Sequence, residues 1–331
     1  MILVTGGTGF IGSHTTVVLQ QAGHDVLILD NLCNSRPEVI DAIAQITGRK
    51  PGFVQGDIRD AGLLERLFAE YPIQAVMHFA GLKAVGESTQ IPLSYYDNNI
   101  HGSVTLLQAM QKAGVRTFIF SSSATVYGDP QKLPLTEDHP RSATNPYGHT
   151  KLVVEDILEN LYHSEPGWRI ARLRYFNPAG AHSSGLIGES PQGIPNNLMP
   201  FVAQVATRQR PQLNVFGDDY DTPDGTGVRD YIHVMDLAEG HKAALDYCQS
   251  HPQTLLTTNL GTGKGYSVLE MIQAYAQTSG RDIPYQITAR RPGDIAACWA
   301  DVAHATQILG WTAKLGLEEM CRDAWRWDKQ Q

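Results

Sequence analysis

The sequence predicts an α/β fold in which a doubly wound parallel sheet is followed by a smaller C-terminal α/β lobe. Met1–Thr5 reads as a short buried strand, Gly9–Gln21 as the helix after it, and Asp25–Asp30 as a second strand. Strand-like and helical segments then alternate along the chain, which is typical of parallel sheets with helices on both faces. From 178 to 227 the composition becomes rich in Gly, Pro and Asp, which indicates turns and ligand-enclosing loops.

The remaining elements follow in chain order. Strands are predicted at Gly52–Val54, Ala75–Phe79 and Thr117–Ser121 and in ARLRYFN, and helices at Leu63–Glu70, Ile100–Ala113 and Thr150–Tyr162. After the loop-rich region, DYIHV reads as a strand, and helices from Asp236, at Leu269–Ser279 and at Val302–Leu309 complete the lobe. We therefore expect one domain over residues 1–176 and a lobe over 177–331, with the segment about 229–262 packing back on the first domain.

Charge and cysteine usage narrow the function classes. The formal net charge of −8 argues against a nucleic-acid partner, whose phosphates need a basic surface. The four cysteines, Cys33, Cys248, Cys298 and Cys321, show no C-x-x-C and no zinc-like spacing, so we expect no metal site and a reducing, cytoplasmic setting. No apolar run approaches the roughly 20 residues that a membrane helix needs, so no membrane association is expected.

Gly6, Gly9 and Gly12 form a G-x-x-G-x-x-G pattern between the first strand and the first helix. Glycine permits a tight turn there and lets a pyrophosphate approach the backbone at the positive end of the helix. Asp30 ends the second strand, where a carboxylate can accept the ribose hydroxyls of an adenosine and repel a 2′-phosphate. The unit therefore predicts a Rossmann-type dinucleotide site that prefers NAD to NADP. Asp57, after the third strand, is a candidate contact for the adenine amino group.

Tyr147 and Lys151 form a Tyr-x-x-x-Lys pair in NPYGHTK. Positions i and i+4 of a helix share a face, so the Lys151 ammonium is expected near the Tyr147 phenol. A nearby cation lowers the pKa of a tyrosine from about 10, which would make the phenol a proton acceptor near neutral pH. Ser123, in SSSATVYG after another strand, can hydrogen-bond a reacting hydroxyl. Together with the glycine-rich turn, the trio predicts a redox site.

These motifs resemble the extended short-chain dehydrogenase/reductase family over essentially the whole chain. The segments that carry the resemblance are VTGGTGFIGSH, LDNLCNS, HFAGLKAVGES, YYDNN, FIFSSSATVYG, NPYGHTK, RYFNPAGAH, PQGIPNNLMP, DGTGVRDYIHVMDLA and RRPGDIAACWAD. The branch they resemble inverts one carbon of a UDP-hexose, which implies interconversion of UDP-glucose and UDP-galactose. Tyr147 would take the proton of the 4-hydroxyl while hydride passes to a tightly retained NAD, and the 4-keto sugar would turn before hydride returns to its other face.

The resemblance also implies a set of ligand contacts. Cofactor contacts would be Gly6, Gly9, Phe10, Ile11, Gly12, Asp30, Asn31, Asn34, Ser35, Asp57, Ile58, Phe79, Ala80, Lys83, Asn98, Tyr147, Lys151 and Tyr175. Substrate contacts would be Lys83, Ser123, Asn177, Asn197, Leu198, Asn214, Val215, Phe216, Tyr231, Asp294 and Cys298, with Arg229 and Arg291 on the diphosphate, whose oxygens suit the planar guanidinium. A homodimer packed through the helices near 100–113 and 150–162 is implied as well.

Cys298, the residue before Trp299 in GDIAACW, departs from a pattern in which many bacterial members of the family carry tyrosine at the pocket wall. Cysteine is much smaller, and family members with a small residue here tend to accept N-acetylated sugars. We therefore expect this chain also to interconvert UDP-N-acetylglucosamine and UDP-N-acetylgalactosamine. The alternative is a buried cysteine whose small size is compensated by neighbouring bulk.

Three other functions are compatible with the same fold. A nucleotide-sugar dehydratase or decarboxylase is the nearest, but dehydratases resemble a pattern with an Asp–Glu pair where this chain has Ala124 and Thr125, and neither can act as the acid or base of an elimination. A dehydrogenase with net redox turnover fits less well with a retained cofactor. A non-catalytic NAD-binding sensor could keep the glycine turn, but the presence of Ser123, Tyr147 and Lys151 together argues against it.

Overall fold

The structure is a computed structural model that describes residues 1–193, 195, 197–291 and 293–331. Its strands are β1 (Ile2–Thr5), β2 (Val26–Asp30), β3 (Gly52–Gln55), β4 (Ala75–His78), β5 (Thr117–Ser121), β6 (Arg169–Tyr175), β7 (Asn177–Ala179), β8 (Leu213–Phe216), β9 (Val228–His233), β10 (Thr254–Leu260), β11 (Gly265–Ser267), β12 (Tyr285–Thr288) and β13 (Ala297–Cys298).

Its α-helices are α1 (Phe10–Gln21), α2 (Glu38–Thr47), α3 (Ala61–Glu70), α4 (Val85–Gln90), α5 (Pro92–Tyr95), α6 (Gly102–Ala113), α7 (Pro146–Ser164), α8 (Leu198–Ala206), α9 (Val234–Ser250), α10 (Val268–Ser279), α11 (Ala303–Leu309) and α12 (Leu317–Asp328). A π-helical turn, Tyr96–His101, leads into α6, and a 3₁₀ turn, Ala124–Tyr127, follows β5.

Within the described residues, the central sheet has seven parallel strands in the order β3-β2-β1-β4-β5-β6-β10. The chain moves outward on one side from β1 to β3 and then returns to the other side of β1 with β4. The carboxyl ends of β1 and β4 therefore flank the crevice in which open α/β sheets bind ligands. This confirms the doubly wound parallel sheet predicted from the sequence.

Apolar residues on both faces of the sheet hold the helices against it. Ile2 and Val4 share one core cluster with Val17 of α1, whereas Leu3 lies in the opposite cluster with Leu106 of α6. Successive side chains of a strand point to opposite faces, so a strand that is apolar throughout must be covered on both sides. The two cores leave the carboxyl edge of the sheet as the place for polar, functional residues.

The start of α7 places the Tyr-x-x-x-Lys pair. Asn145 precedes the helix, and its side-chain oxygen accepts a hydrogen bond from the Gly148 amide at 2.9 Å, while Pro146 occupies the first helical position. Both are favoured choices for a helix start. Tyr147 consequently lies in the first turn and Lys151 in the next, and both side chains are buried.

The C-terminal half of the chain contributes to more than one sheet. Strand β9 pairs with β7, β11 and β13 in a separate small sheet, and β8 pairs with β12. Strand β10 instead runs parallel beside β6 in the central sheet, and Leu237 and Ala244 of α9 share a core cluster with Val17. The domain division between 176 and 177 stays a prediction. Across the described residues, no helix is both long and apolar enough to cross a membrane.

Candidate active site

The glycine-rich turn between β1 and α1 is shaped by close backbone contacts. Gly6 has φ +70°, and a Cβ on it would lie 2.6 Å from the Ala80 amide nitrogen. A Cβ on Gly12 would lie 2.3 Å from the Gly6 carbonyl oxygen, so both positions exclude a side chain. Gly9, at the N-cap of α1, supplies no side-chain cap, which leaves amides of the first helical turn free to bind an anion. These features fit the pyrophosphate of a dinucleotide.

Asp30 organises the turn on the adenosine side of this cradle. Its carboxylate accepts hydrogen bonds from the Thr8 amide at 3.1 Å, from the Leu32 amide at 2.9 Å and from the Ser35 hydroxyl at 3.1 Å. An ionised carboxylate has about four acceptor sites, so one remains for a ribose hydroxyl. Asp30 is thus both a structural anchor of the loop and the predicted selector of NAD.

Asp57 is engaged with neighbouring side chains. Arg59 donates from Nε to Oδ1 at 2.9 Å and from Nη2 to Oδ2 at 2.8 Å, and Asn31 donates to Oδ2 at 3.0 Å. The hydrogen bonds from Arg59 hold the pKa of the Asp57 carboxyl well below its usual range. Its neighbours Gly56 and Ile58 line the cleft that begins at the glycine-rich turn, whereas Asp57 does not line it. Its contact with adenine stays a prediction.

One cleft runs from the glycine-rich turn to the Tyr-x-x-x-Lys pair. It brings together most of the predicted cofactor contacts from β1, β2, β4, the π-helical turn, α7 and β6. Its lining comprises Gly6, Gly9, Phe10, Ile11, Gly12, Leu29, Asp30, Asn31, Cys33, Asn34, Ser35, Gly56, Ile58, Phe79, Ala80, Gly81, Leu82, Lys83, Asn98, Tyr147, Lys151, Tyr175, Glu189, Ser190 and Pro191. An extended ligand with a pyrophosphate at one end and a reactive ring at the other would fit this course.

Ser123 caps the 3₁₀ turn after β5. Its hydroxyl oxygen accepts hydrogen bonds from the Thr125 amide at 3.2 Å and from the Thr125 hydroxyl at 2.9 Å. Because its oxygen is held by two donors, the Ser123 hydroxyl proton is free to point toward an acceptor such as Tyr147. The serine is buried, so this orientation is shielded from bulk water.

Tyr147 differs from the sequence-based expectation of an acidic phenol. Burial raises its pKa above the usual value of a tyrosine, the neighbouring Tyr175 phenol adds to the rise, and interaction with the Ser123 hydroxyl lowers it. The reason is that desolvation penalises the phenolate more than the Ser123 hydrogen bond favours it. In the structure, burial and not the charge of Lys151 is the largest influence on the pKa of Tyr147.

Lys151 is instead held on the sheet. Its ammonium donates to the Ser121 carbonyl oxygen at 2.8 Å and lies 4.9 Å from the centre of the Phe120 ring. Burial lowers the pKa of Lys151 to about 8, and the Glu155 carboxylate opposes that shift. A lysine so placed is still largely charged at neutral pH, and it can stabilise a phenolate once one forms in the cleft.

Lys83, a predicted contact of both ligands, pairs with an acid that sequence reasoning missed. Glu189 Oε1 accepts from the Lys83 ammonium at 2.9 Å and from Asn197 Nδ2 at 2.7 Å. The Glu189 side chain is only 10 % exposed, so the interaction is shielded. Lys83 follows β4, whereas Asn197 precedes α8, and Glu189 therefore connects the cofactor side of the cleft to the lobe.

The segment after Glu189 reaches back to the adenosine loop. The Gln192 amide donates to Asn34 Oδ1 at 3.2 Å, and its side chain donates to the Ser35 carbonyl at 3.0 Å. With Ser190 and Pro191 in the cleft lining, Glu189–Gln192 forms a strap across the cofactor cleft. The Gly/Pro-rich composition predicted a ligand-enclosing loop here, but not these partners.

The charges of both predicted diphosphate ligands, Arg229 and Arg291, act on the Tyr231 phenol. Arg291 stacks 4.7 Å from the centre of the Phe216 ring and donates to Asp294 Oδ2 at 2.9 Å. Arg229 lies on β9, where its Nη1 donates to the Val228 carbonyl at 2.9 Å. Burial raises the pKa of Tyr231 to about 12, and both arginines oppose the rise, which places their charges around this phenol.

The other predicted sugar and uracil contacts occupy distinct positions. Asn177 opens β7 as the register partner of Tyr231, and Leu198 begins α8. Asn214 on β8 accepts a hydrogen bond from Gln286 at 2.8 Å. Val215 is packed in the lobe core, so only its backbone remains available to a ligand. Their contacts with substrate stay predictions.

Cys298 ends β13 and is the register partner of Arg229 on β9. Its side chain is buried in a cluster that includes Val126, Leu135 and Phe176. Burial raises the pKa of the Cys298 thiol to about 12, so the group acts as a small neutral side chain. The predicted place of Cys298 at the pocket wall beside the sugar stays a prediction, and so does the alternative of a buried cysteine compensated by neighbouring bulk.

Asn99 is a second residue that sequence reasoning missed. Its side chain accepts from the Leu82 amide at 2.8 Å and donates to the Leu82 carbonyl and to Thr150 Oγ1, each at 3.0 Å. It thereby ties the loop after β4 to α7. Within the segment YYDNN, the sequence predicts a cofactor contact for Asn98 only. The π-helical geometry of Tyr96–His101, a feature often found at functional sites, has no sequence pattern that would predict it.

Known proteins match the chain along its whole length. A family profile described as GDP-mannose 4,6 dehydratase matches residues 3–324. A UDP-glucose 4-epimerase from Bacillus subtilis is 57% identical over 331 residues, which covers 98% of this chain and 96% of the relative.

Solved structures match it as well. A UDP-glucose 4-epimerase from Stenotrophomonas maltophila with bound NAD and formylated UDP-arabinopyranose has a TM-score of 0.97 at 54% identity, covering 99% of this chain and 98% of that chain. The UDP-Glc/GlcNAc 4-epimerase from Campylobacter jejuni has a TM-score of 0.87 at 37% identity, covering 100% and 99%. Because sequence and fold agree over nearly the full length, the chain belongs to the extended short-chain dehydrogenase/reductase family and, within it, to the UDP-glucose 4-epimerases.

Proposed function

We propose that this chain is an NAD-dependent epimerase that interconverts UDP-glucose and UDP-galactose. The observation that carries the proposal is one cleft that joins the glycine-rich turn at Gly6–Gly12 to the buried Tyr147 and Lys151. The names and ligands of the relatives supply the substrate class, a UDP-sugar. The cradle, Asp30 and the strap at Glu189–Gln192 suit a cofactor that stays bound between turnovers.

Tyr147, Ser123 and Lys151 would each have a different role in the reaction. Tyr147 takes the proton of the sugar 4-hydroxyl and later returns it, with Ser123 hydrogen-bonded to the same oxygen. Lys151 stabilises the phenolate while it exists. NAD, when bound, would supply the hydride acceptor and donor for the sugar carbon, and its oxidised ring would add a positive charge that favours the Tyr147 phenolate. That added charge would oppose the burial that raises the pKa of Tyr147.

Elimination of water is less compatible with the residues after Ser123. A dehydratase needs an acid and a base near the ketosugar, but this chain has Ala124 and Thr125 there. Thr125 is occupied as a donor to Ser123. The family profile carries a dehydratase description, whereas the Bacillus subtilis relative, at 57% identity, is named an epimerase. The residues therefore support epimerisation.

The test is an incubation of purified protein with UDP-galactose and no added cofactor. Formation of UDP-glucose would support both the reaction and the retained dinucleotide. If UDP-glucose forms only after NAD is added, the reaction stands and retention fails. Absence of product with NAD present, or release of a dehydrated sugar, would refute the proposed function.

A wider substrate range is proposed on the identity of residue 298. A small neutral side chain at this position leaves more room than tyrosine, and Cys298 adjoins Arg229, the proposed diphosphate ligand. The Campylobacter relative is named for activity on both sugar classes on the same fold. We infer that the chain also interconverts UDP-N-acetylglucosamine and UDP-N-acetylgalactosamine.

A homodimer packed through α6 and α7 is proposed on the pattern of α7. Val153, Ile157 and Leu161 recur every four residues, and each is only partly buried, although Ile157 and Leu161 also pack against the core of their own chain. Such a stripe lies on one face of a helix and would be covered by a second copy of the chain. Light scattering on the wild type should give a dimer mass and on Val153→Glu a monomer mass; a monomeric wild type would refute this.

A cytoplasmic setting is proposed because all four cysteines of the described chain are free thiols.

A further inference from the structure

A buried ion pair lies behind the Tyr-x-x-x-Lys pair. Glu155 follows Lys151 by one turn of α7, and Arg174 projects from β6. Arg174 donates from Nε to Glu155 Oε1 at 3.0 Å and from Nη2 to Oε2 at 2.7 Å. The two side chains are 0 % and 3 % exposed, so the bidentate contact is closed to solvent. The geometry fixes the carboxylate rather than leaving it free to rotate.

The same carboxylate also binds the turn formed by residues Ser121–Ser123, which we call the serine turn. Ser122 donates its hydroxyl proton to Glu155 Oε1 at 2.6 Å. Ser122 lies between Ser121, whose carbonyl accepts from Lys151, and Ser123. The turn that carries Ser123 is therefore bound to α7 at two points one helical turn apart.

Arg174 is itself held in place by further elements. It donates to the Tyr127 hydroxyl at 3.1 Å and to the Glu137 carbonyl at 2.9 Å. Tyr127 in turn donates to Asn259 on β10 at 2.7 Å. The network thus joins β6, β10, α7 and the 3₁₀ turn, and Glu155 is the member that reaches the serine turn.

A buried ion pair does not by itself stabilise a fold more than apolar residues of similar size would, so its location calls for another explanation. We propose that Glu155 is a positioning residue for epimerisation: gripped by Arg174, it holds Ser122 and so keeps the Ser121–Ser123 turn in register with the helix that bears Tyr147 and Lys151. This inference rests on the proposed function. In this role the Glu155–Arg174 pair supports the reaction by positioning other residues and does not contact the substrate.

Charge adds a second consequence for Lys151. The Lys151 ammonium donates to the Ser121 carbonyl, lies over the Phe120 ring on β5, and interacts with His78 on β4 and with Glu155 on its own helix. Tyr147 and Tyr175 line the same cleft as Lys151. Burial lowers the pKa of His78 to about 3, and burial raises the pKa of Tyr175 and of Tyr147, so these three are neutral at pH 7. Glu155 is then the negative group that keeps Lys151 charged.

The same helix and strand offer a matched control. Glu159, one turn after Glu155, accepts from Arg172 at 2.9 Å, and Arg172 lies two residues before Arg174 on β6. This second pair also joins a glutamate of α7 to an arginine of β6, but it makes one hydrogen bond, the Glu159 side chain is 44 % exposed, and neither side chain contacts the serine turn. Glu159→Gln should therefore leave kcat, KM and the pH profile unchanged.

The test variants separate positioning from folding. Glu155→Gln leaves Arg174 unpaired and can fail to fold, so Glu155→Met with Arg174→Met replaces both charges together. We expect this paired variant to fold with its NAD bound, to lose about a hundredfold in kcat because misplaced catalytic groups cost that order, and to keep its KM. The alkaline limb of its kcat profile should move to lower pH, since Lys151 has lost its carboxylate. Ser122→Ala should lower kcat while retaining the ion pair.

The outcomes discriminate between the two proposals. A wild type without epimerase activity refutes the proposed function, whatever the variants do. If the wild type is active and the paired variant keeps the wild-type kcat and the wild-type alkaline limb, the positioning role is refuted. If the paired variant does not fold, Ser122→Ala decides: a loss of kcat with NAD retained supports the role, and unchanged kcat refutes it.

Discussion

Cys298 and Arg229 are register partners on the neighbouring strands β13 and β9, so their side chains lie on the same face of the small sheet. We therefore expect a change in the volume of residue 298 to affect the guanidinium proposed to bind the substrate diphosphate. The thiol is buried among apolar neighbours, so added bulk has to displace something.

Cys298→Tyr should narrow the substrate range. The ring would occupy room beside the sugar, so the ratio of kcat/KM for UDP-N-acetylglucosamine to that for UDP-glucose should fall by about 10- to 200-fold, the range typical of steric discrimination in a pocket. Cys298→Ala keeps the room and should keep the ratio. If Cys298→Tyr leaves the ratio unchanged, residue 298 is a core cysteine and not a determinant of specificity.

Tyr147→Phe should slow epimerisation strongly and leave NAD bound. Loss of the proton acceptor should reduce kcat by about 10²- to 10⁴-fold, the usual contribution of general acid–base catalysis. The ring remains to fill the cleft, so NAD measured after denaturation should stay at the wild-type level. Tyr275→Phe, which removes a buried hydroxyl bonded to Asp328, is the control and should remain active. Equal activity of the two variants would contradict the role of Tyr147.

Activity and stability should respond to alkaline pH in opposite directions at Lys151. Burial lowers the pKa of Lys151 to about 8, so kcat should fall as pH rises through about 8 and the ammonium is lost. The unfolded chain keeps its proton up to about 10.4, and between these two pKa values the unfolded state binds more protons, so rising pH stabilises the folded state at this site. Denaturant titrations of wild type against Lys151→Met, from pH 7 to 10, should show the difference in unfolding free energy changing in favour of the wild type. A flat difference would contradict the lowered pKa.

The cofactor cradle and the Tyr-x-x-x-Lys pair could be predicted because their signals are local. Gly6 and Gly12 are read from spacing after a strand, and Tyr147 and Lys151 from a helical period of four. The structure places all four in one cleft. A short-range pattern is sufficient when a single turn or helix positions the residues.

What the sequence did not reveal depends on contacts between distant residues. Glu189 meets Lys83 across 106 positions, and the Gln192 amide meets Asn34 across 158. The high pKa of Tyr147 arises from burial, which is a property of the packed fold and has no local pattern. Loop composition indicated enclosure of a ligand, but tertiary structure was needed to name the partners.

Asp30 should matter to both the loop and the cofactor. Asp30→Ala leaves the Thr8 and Leu32 amides without their acceptor, which should cost about 1 to 3 kcal/mol of unfolding free energy and should reduce the NAD bound per chain. Asp25, just before the same strand, is exposed and pairs with Arg49, so Asp25→Ala should change neither quantity measurably. Full NAD occupancy in Asp30→Ala would contradict its role in holding the ribose.

The strap at Glu189–Gln192 should set the rate at which NAD leaves. Gln192→Ala removes the side-chain bond to the Ser35 carbonyl, and a hydrogen bond contributes about 0.5 to 1.5 kcal/mol, so dissociation of NAD should accelerate by about two- to tenfold. Glu189→Gln removes the charge that pairs with Lys83 and should accelerate it further. Gln253→Ala, at an exposed position away from the cleft, is the control. The measurement is the loss of bound NAD over time after dilution into a scavenger of free cofactor. Identical rates in all three variants would mean that the cradle alone retains NAD, because a strap that closes the cleft must slow the escape of what lies beneath it.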